Sequence, residues 1–363
     1  MIDSMTTRPR VESICTAREK ANAMAALPRD IDEIRQAWSE ANLAPLWENK
    51  RAHRPAPQSD AAYLWSWEKI RPLIGAAIEV ASPEAVERRV LQLIPPLVRE
   101  QEEQQTSKTL AANLQILLPG EKARPHRHTM NALRFILEGS GAVTIVDGKP
   151  CPMEEGDLIL TPAWTWHEHV HQGAAPIIWL DSLDVPLHQY LGTGAFEPGP
   201  TAQLPETVPD AAFAVANVVP DTSYATTAYS PVFRYPYAST AAAVAAAPKA
   251  RDGSRRVRYI NPLTGGTAME LMDCFLVQLD RDTATVPFRT SANSVCCVVE
   301  GSGESQIGNQ TLRWTKRDIF TLPQGNRIVH RSVDGTARLF QVSDRDIYAR
   351  LGLLKEEYGN IAA

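Results

Sequence analysis

Two textures of apolar and polar positions divide the chain. Between Arg29 and Ala41, the residues Ile31, Ile34, Ala37, Trp38 and Ala41 recur at the spacing of an amphipathic helix. Ser82-Pro83-Glu84 supplies a cap, a first-turn proline and a first-turn acid, which predicts a helix running to about Leu93 before Pro95-Pro96 interrupts it. A loop around Arg51 to Pro57 and an aromatic cluster of Tyr63, Trp65 and Trp67 lie between these two helices. From residue 111 onward, short apolar runs alternate with turn residues, as in ALRFILEGSGAVTIVDGKP. There, Val143 to Val146 followed by Asp147-Gly148 predicts a β-hairpin, because the tight turn needs residues that accept positive φ. An alanine-rich run, Ala241 to Ala247, predicts a short helix inside an otherwise irregular connection.

The β texture occurs twice. HRHTMNALRFILEGSG (126–141) and FRTSANSVCCVVEGSG (288–303) align without a gap at an offset of 162, and GDLILTPAWTWHEHVH (156–171) aligns with RDIFTLPQGNRIVHRS (317–332) at 161. Arg127/Arg289, Asn131/Asn293, Asp157/Asp318, Pro162/Pro323 and His169/His330 are shared, which reads as duplication of a β-domain. The predicted organisation is a largely helical N-terminal region (1–110), a first barrel (111–190), a connecting segment (191–250), and a second barrel with a C-terminal helix (251–363). The fold class is mainly β.

Composition narrows the function. With 44% apolar and 22% charged residues the chain matches a globular protein, which excludes disordered and fibrous classes. Proline, at 27 of 363 residues, favours short elements between stiff turns. A net charge of −5 and isolated basic pairs give no footprint for nucleic acid, so no nucleic-acid partner is expected. No apolar run reaches the ~18 residues of a membrane span, and the charged N-terminus does not read as a signal peptide, so no membrane partner is expected. Five cysteines without a CxxC pair fit a reducing, cytoplasmic setting.

The candidate chemistry lies in the histidines. Six of the eight fall between His126 and His188. Strand alternation points His126 and His128 to one face, and His167 follows a second strand-like run. If those strands are neighbours, three imidazoles can converge on one ion with positions left open, the pattern of a catalytic metal site. In the second copy the ligand positions read Phe288, Thr290 and Ile328, so that copy is predicted to be metal-free, with His330 matching His169 rather than a ligand.

Gly120-x5-His126-x-His128 and Gly156-x5-Pro162-x-Trp164-x2-His167-x3-His171 resemble the two signature motifs of the cupin superfamily of small antiparallel β-barrels. Ala132 and Leu133 stand where many cupins carry a glutamate ligand, which leaves three neutral histidines. More specifically, LAPLWE (43–48), ERRVL (87–91), LPGEKARPHRHTMNALRFILEGSG (118–141), GDLILTPAWTWHEH (156–169), WLDSLDVP (179–186) and RYINPLTGG (258–266) resemble the bicupin gentisate 1,2-dioxygenases, a family that includes salicylate and 1-hydroxy-2-naphthoate ring-cleaving relatives.

The resemblance implies Fe(II) on His126, His128 and His167, and cleavage of a 2-hydroxybenzoate ring between its carboxylated and hydroxylated carbons with both atoms of O2 inserted. Three open iron positions would serve the carboxylate, the ortho-hydroxyl and O2, and the ring supplies the electrons. It implies Arg134 at the substrate carboxylate, with Arg88 or Arg89 as a second contact, His169 as acid/base, Asp181 orienting His169, and Gln115 lining the pocket. Arg134 lies six residues beyond His128, an even step that on one regular strand would put it on the metal-facing side. Trp164, Trp166 and Trp179 are expected in the barrel core. Ala111 and Asn113 depart from the family: the first opens space and the second adds a polar amide, read as a hydrogen-bond donor. The departures favour a substituted salicylate such as 5-nitrosalicylate beside gentisate itself. Alternatives are 1-hydroxy-2-naphthoate, a Zn-dependent isomerase or hydrolase on the same barrel, and a storage or ligand-binding bicupin. Family bicupins associate, so a homo-oligomer, expected as a tetramer, is predicted.

Overall fold

A computed structural model describes residues 30–48, 60–81, 88–100, 105–199, 208–215, 218–221 and 227–359. Cys15, the loop at 51–57 and the helix start at 82–87 lie outside the described residues. The chain divides into two compact units, Met1–Pro57 and Gln58–Ala363. In the first, the predicted amphipathic helix spans Ile31–Glu40 and a 3-10 turn follows at Leu46–Glu48. The guanidinium of Arg35 pairs with Glu48 at 3.0 Å, and Trp38 meets Trp47 edge-on at 5.8 Å.

The second unit contains two β-barrels, each made of two facing antiparallel sheets. In the first barrel, one sheet runs Arg234–Tyr235, Leu158–Thr161, Ala132–Glu138, Ile177–Leu183, Ala111–Leu117, Val90–Gln92. Its partner runs Phe196–Pro198, Lys122–His128, His167–His171, Ala142–Val146, Lys149–Met153. The second barrel repeats this order with the sheets Leu64–Trp65, Ile319–Leu322, Ser294–Glu300, Ala337–Ser343, Asp273–Leu279, Arg255–Arg258 and Gln310–Thr315, Ser302–Ile307, Ile328–Ser332, Phe288–Thr290, Glu356–Tyr358.

The predicted hairpin forms between Ala142–Val146 and Lys149–Met153, with Asp147 and Gly148 at φ 43° and 76°. The repeated EGSG turn has a steric cause. Gly139 and Gly301 sit at φ 91° and 79°, and a Cβ there would fall 2.5 Å from the carbonyl of Pro176 or 2.7 Å from that of Thr336. Between the barrels, Phe135 and Phe340 stack at 4.1 Å within one continuous apolar core.

Among the described residues before 111, helix Ile31–Glu40 is joined by strands and irregular chain, so the region is only partly helical. It holds the helices Trp67–Val80 and Pro96–Glu100, but Val90–Gln92 is a strand where the sequence suggested the end of a helix. The exposed edge of Ala111–Leu117 pairs it, which satisfies backbone groups that an isolated helix end would leave open. The predicted C-terminal helix is six residues, Arg345–Arg350, followed by the edge strand Glu356–Tyr358. The alanine-rich helix runs Tyr237–Ala246.

The repeat also extends further than the aligned motifs. Leu64–Trp65 and Arg234–Tyr235, 170 positions apart, are equivalent two-residue strands, each leading into a helix. Each covers the opposite barrel: Leu64–Trp65 pairs with Ile319–Leu322, and Arg234–Tyr235 with Leu158–Thr161. Asp318 accepts from the Trp67 amide at 2.7 Å and Asp157 from the Tyr237 amide at 2.9 Å, so both shared aspartates satisfy a free amide at a helix start.

Candidate metal and substrate site

His126 and His128 close one strand and His167 opens its antiparallel neighbour, with His126 directly opposite His167. All three are buried, and their ligand nitrogens lie within 4.8 Å of one another. Each ring is locked by a backbone carbonyl two residues away. The Nδ1–H groups of His126, His128 and His167 donate to Arg124, Met130 and Thr165 at 2.8, 2.8 and 3.0 Å. A carbonyl can only accept, so the proton is on Nδ1 and the Nε2 lone pair is turned toward the common point. The Nε2 of His167 is buried without a partner. Burial, followed by the nearby Arg88, pushes His126 down to about 3, and burial pushes His128 to about 4. His167 lies well below its ordinary value for the same first cause. Three neutral, pre-oriented nitrogens with no carboxylate fit a divalent cation that is to keep open positions.

Charge surrounds this triad on one side. Arg88 Nη1 lies 3.0 Å from His126 Nε2, and its guanidinium sits 6.0 Å from the Phe196 ring, which stacks on His126 at 5.4 Å. Arg89 instead forms a partly buried ion pair with Glu121. Of the two arginines, only Arg88 reaches the histidines. Arg134 is buried, donates from Nη1 to Thr161 Oγ1 at 2.9 Å, and lies beside Asp181 with Nε and Oδ1 at 3.3 Å but misaligned for a hydrogen bond. Burial, with the Arg134 charge added to it, lowers His128, His167 and His169. Its placement differs from the even-step expectation. The strand of His128 ends there and Arg134 lies on Ala132–Glu138 in the facing sheet, so it looks across the barrel rather than along one strand.

Asp181 does not orient His169. One of its oxygens accepts from Trp179 Nε1 at 2.9 Å and the other lies beside Arg134, because Asp181 stands on the sheet opposite His169. Burial raises the Asp181 carboxyl while the Arg134 charge opposes that rise. His169 instead meets its cross-strand neighbour Thr144, Nδ1 to Oγ1 at 2.9 Å. Nothing in the sequence pointed to Thr144; only the sheet register shows that Ser305 stands opposite His330 in the same way. Phe196 was missed because it arrives on a three-residue edge strand, Phe196–Pro198, that pairs with Lys122–His128.

Asn113 forms a cross-strand row with Asp181 and Arg134, and Gln115 one with Trp179. The free buried atom of Asn113 is its Oδ1, an acceptor rather than the expected donor, whereas that of Gln115 is Nε2, a donor. Ala111, also buried, pairs with Leu183 at the end of the same strand. Of the three tryptophans only Trp179 is core. Trp164 is exposed and Trp166 half-buried, and the two flank the guanidinium of Arg127 at 4.5 and 4.7 Å.

In the second barrel Phe288 and Ile328 face each other where His126 and His167 do in the first. Half-buried Arg256 reaches into its interior, lying 3.8 Å from the Phe275 ring and donating to Gln341 at 2.8 Å. Among the described residues, His126, His128 and His167 form the one group of three or more side chains placed to hold a metal. No helix among them is long and apolar enough to cross a membrane.

Comparison with known proteins agrees with this geometry. Residues 113–183 match the cupin domain family. The chain is 36% identical to a gentisate 1,2-dioxygenase of Ralstonia sp over 95% of its own length and 98% of that protein. It is 32% identical to a 5-aminosalicylate 1,2-dioxygenase of Comamonas sp, over 93% and 92% of the two chains. Its fold superposes on the salicylate 1,2-dioxygenase of Pseudaminobacter salicylatoxidans with a TM-score of 0.84 and 28% identity, over 92% of this chain and 100% of that one.

Proposed function

The chain belongs to the gentisate 1,2-dioxygenase family of O2-using, ring-cleaving oxidoreductases, and from that premise we propose that it holds Fe(II) on His126, His128 and His167 and opens a 2-hydroxybenzoate between the carboxyl-bearing and hydroxyl-bearing carbons. The observation that carries this reading is the convergence of three neutral imidazoles with buried Arg134 facing them from the opposite sheet. Bound iron would supply the Lewis acid that gathers the substrate oxygens and O2.

The protein's own side chains divide the remaining work. Arg134 offers a planar fork to the substrate carboxylate, which a buried anion requires, and Arg88 adds a second positive charge. Arg89 is left out of this role by its pairing with Glu121. His169, buried and with a free Nε2, is the group for the ring hydroxyl. The free Asn113 oxygen suits a ring substituent that donates, so gentisate or an amino-substituted salicylate fits it better than 5-nitrosalicylate or another 5-substituted salicylate lacking a donor. A fused ring, as in 1-hydroxy-2-naphthoate, would leave that oxygen unpaired.

Four buried cysteines without disulfides (Cys151, Cys274, Cys296 and Cys297) support a cytoplasmic setting. A homo-oligomer, as a tetramer, completes the reading.

The test is oxygen uptake by protein loaded with Fe(II) or with Zn(II), offered gentisate, salicylate, 5-amino- and 5-nitrosalicylate, and 1-hydroxy-2-naphthoate. Uptake with iron alone and with donor-bearing rings first is expected. Turnover with zinc and no oxygen consumed would overturn the reading in favour of an isomerase or hydrolase.

A further inference from the structure

His169 can carry its ring proton on either nitrogen, and the choice decides whether it offers the site a donor or an acceptor. Its surroundings make that choice. The ring is fully buried, Nδ1 lies 2.9 Å from Thr144 Oγ1, and Nε2 has no hydrogen-bond partner. Thr144 is itself fully buried, so its hydroxyl proton must go to a neighbour. Two neighbours are in reach: the His169 nitrogen and the sulfur of Met153, 3.3 Å away. A thioether can only accept. With the hydroxyl proton on Met153, the Thr144 oxygen is free to receive the Nδ1–H of His169. The alternative would leave a buried Nε2–H without an acceptor.

We propose that Thr144, itself held by Met153, is a positioning residue that fixes His169 with its proton on Nδ1, so that a bare Nε2 lone pair faces the site and accepts the hydrogen bond of the substrate's ring hydroxyl. This rests on the dioxygenase reading above and adds to it the atom that receives the hydroxyl and the residues that prepare it.

The second barrel contains the opposite arrangement at equivalent positions. Ser305 stands for Thr144 and lies 2.7 Å from His330 Nδ1, while Trp314 replaces Met153. An indole N–H can only donate, and it does so to Ser305 Oγ at 2.8 Å. Buried Ser305 must then pass its own proton to His330 Nδ1, which puts the ring proton on Nε2. One chain therefore holds the two tautomers, selected by an acceptor-only residue in one barrel and a donor-only residue in the other.

The experiment is a long-range proton–nitrogen correlation spectrum of the full chain labelled with nitrogen-15 in histidine and loaded with diamagnetic Zn(II), without substrate. His169→Gln and His330→Gln serve to assign the signals. An unprotonated Nε2 in His169 and an unprotonated Nδ1 in His330 are expected. Met153→Leu should shift the His169 proton toward Nε2 by freeing the Thr144 hydroxyl to donate. In the iron-loaded protein, Thr144→Val should lower kcat/KM roughly tenfold at unchanged metal content, and Thr144→Ser should restore it. A protonated Nε2 in wild-type His169 would overturn the proposal, as would Thr144→Val with unaltered nitrogen signals and kinetics. Failure of every hydroxybenzoate to turn over would sink the dioxygenase reading and the hydroxyl contact that rests on it, whereas the tautomers, read without substrate, would stand or fall on the nitrogen signals.

Discussion

The two barrels share a frame and differ in almost everything that faces their interiors. In both, an asparagine at the start of the third strand bonds through its amide to a buried aspartate: Asn131 to Asp184 at 3.0 Å, Asn293 to Asp344 at 2.8 Å. In both, the asparagine oxygen accepts one backbone amide, from Ala163 or from Gln324. In both, a buried histidine leans on a hydroxyl across the strand. The interiors part at His126 and His167 against Phe288 and Ile328, Arg134 against Cys296, and Asp181 against Gln341. In the second barrel a half-buried arginine of the edge strand, Arg256, bonds to Gln341, the residue at the position of Asp181. What the duplication kept is what closes the barrel; what it let go is what would have touched a ligand. A buried polar frame costs stability if half of it is lost, whereas an inward position can exchange imidazole for a phenyl ring as long as the space is filled.

The sharpest way to break this comparison is to remove one histidine from each barrel. His167→Ala should abolish metal retention and turnover, and His330→Ala should leave one metal per chain. Metal analysis decides it: a stoichiometry near two, or loss of metal in His330→Ala, would mean the second barrel is a site as well. A smaller effect is expected at Arg134, whose counterpart is Cys296. Arg134→Lys and Arg134→Ala should keep the metal while kcat/KM falls ~30- to ~4,000-fold, the equivalent of about 2–5 kcal/mol for stranding a buried charge partner. Unchanged kinetics would move carboxylate recognition to Arg88.

Acid should separate the barrels more gently. Burial lowers the pKa of four histidines in the first barrel, with His126 at about 3 and His128 at about 4, but of one, His330 at about 4, in the second. A group with a lowered folded-state pKa binds more protons when unfolded. Its contribution is therefore complete above about 6.5, the ordinary imidazole value, and is lost as pH falls toward 3–4. In metal-free protein, hydrogen exchange should accelerate first in strands Lys122–His128 and His167–His171 as pH drops from 7 to 4. Equal acceleration in Phe288–Thr290 and Ile328–Ser332 would contradict this.

Much of the arrangement was legible in the chain. The hairpin at Asp147-Gly148 was readable because its turn chemistry is local. The duplication was readable because the frame residues Asn131/Asn293 and Asp157/Asp318 are each held by several partners and so persist in both copies. The histidine triad was readable because alternation along His126-x-His128 is a property of a single strand. The strand at Val90–Gln92 was not, since its residues adopt that form only when the edge of Ala111–Leu117 is there to pair with them.

Periodicity and spacing thus determined the strands, the repeat and which three imidazoles could meet. Only the tertiary structure decided what surrounds them. The crossing of the Leu64–Trp65 and Arg234–Tyr235 arms, the turning of Arg89 to Glu121 and of Arg88 to His126, and the pairing of His169 with Thr144 rather than Asp181 all depend on which strands lie opposite one another. Local sequence fixes the face on which a side chain stands, whereas its partner is set by sheet order and register, which are properties of the closed barrel as a whole.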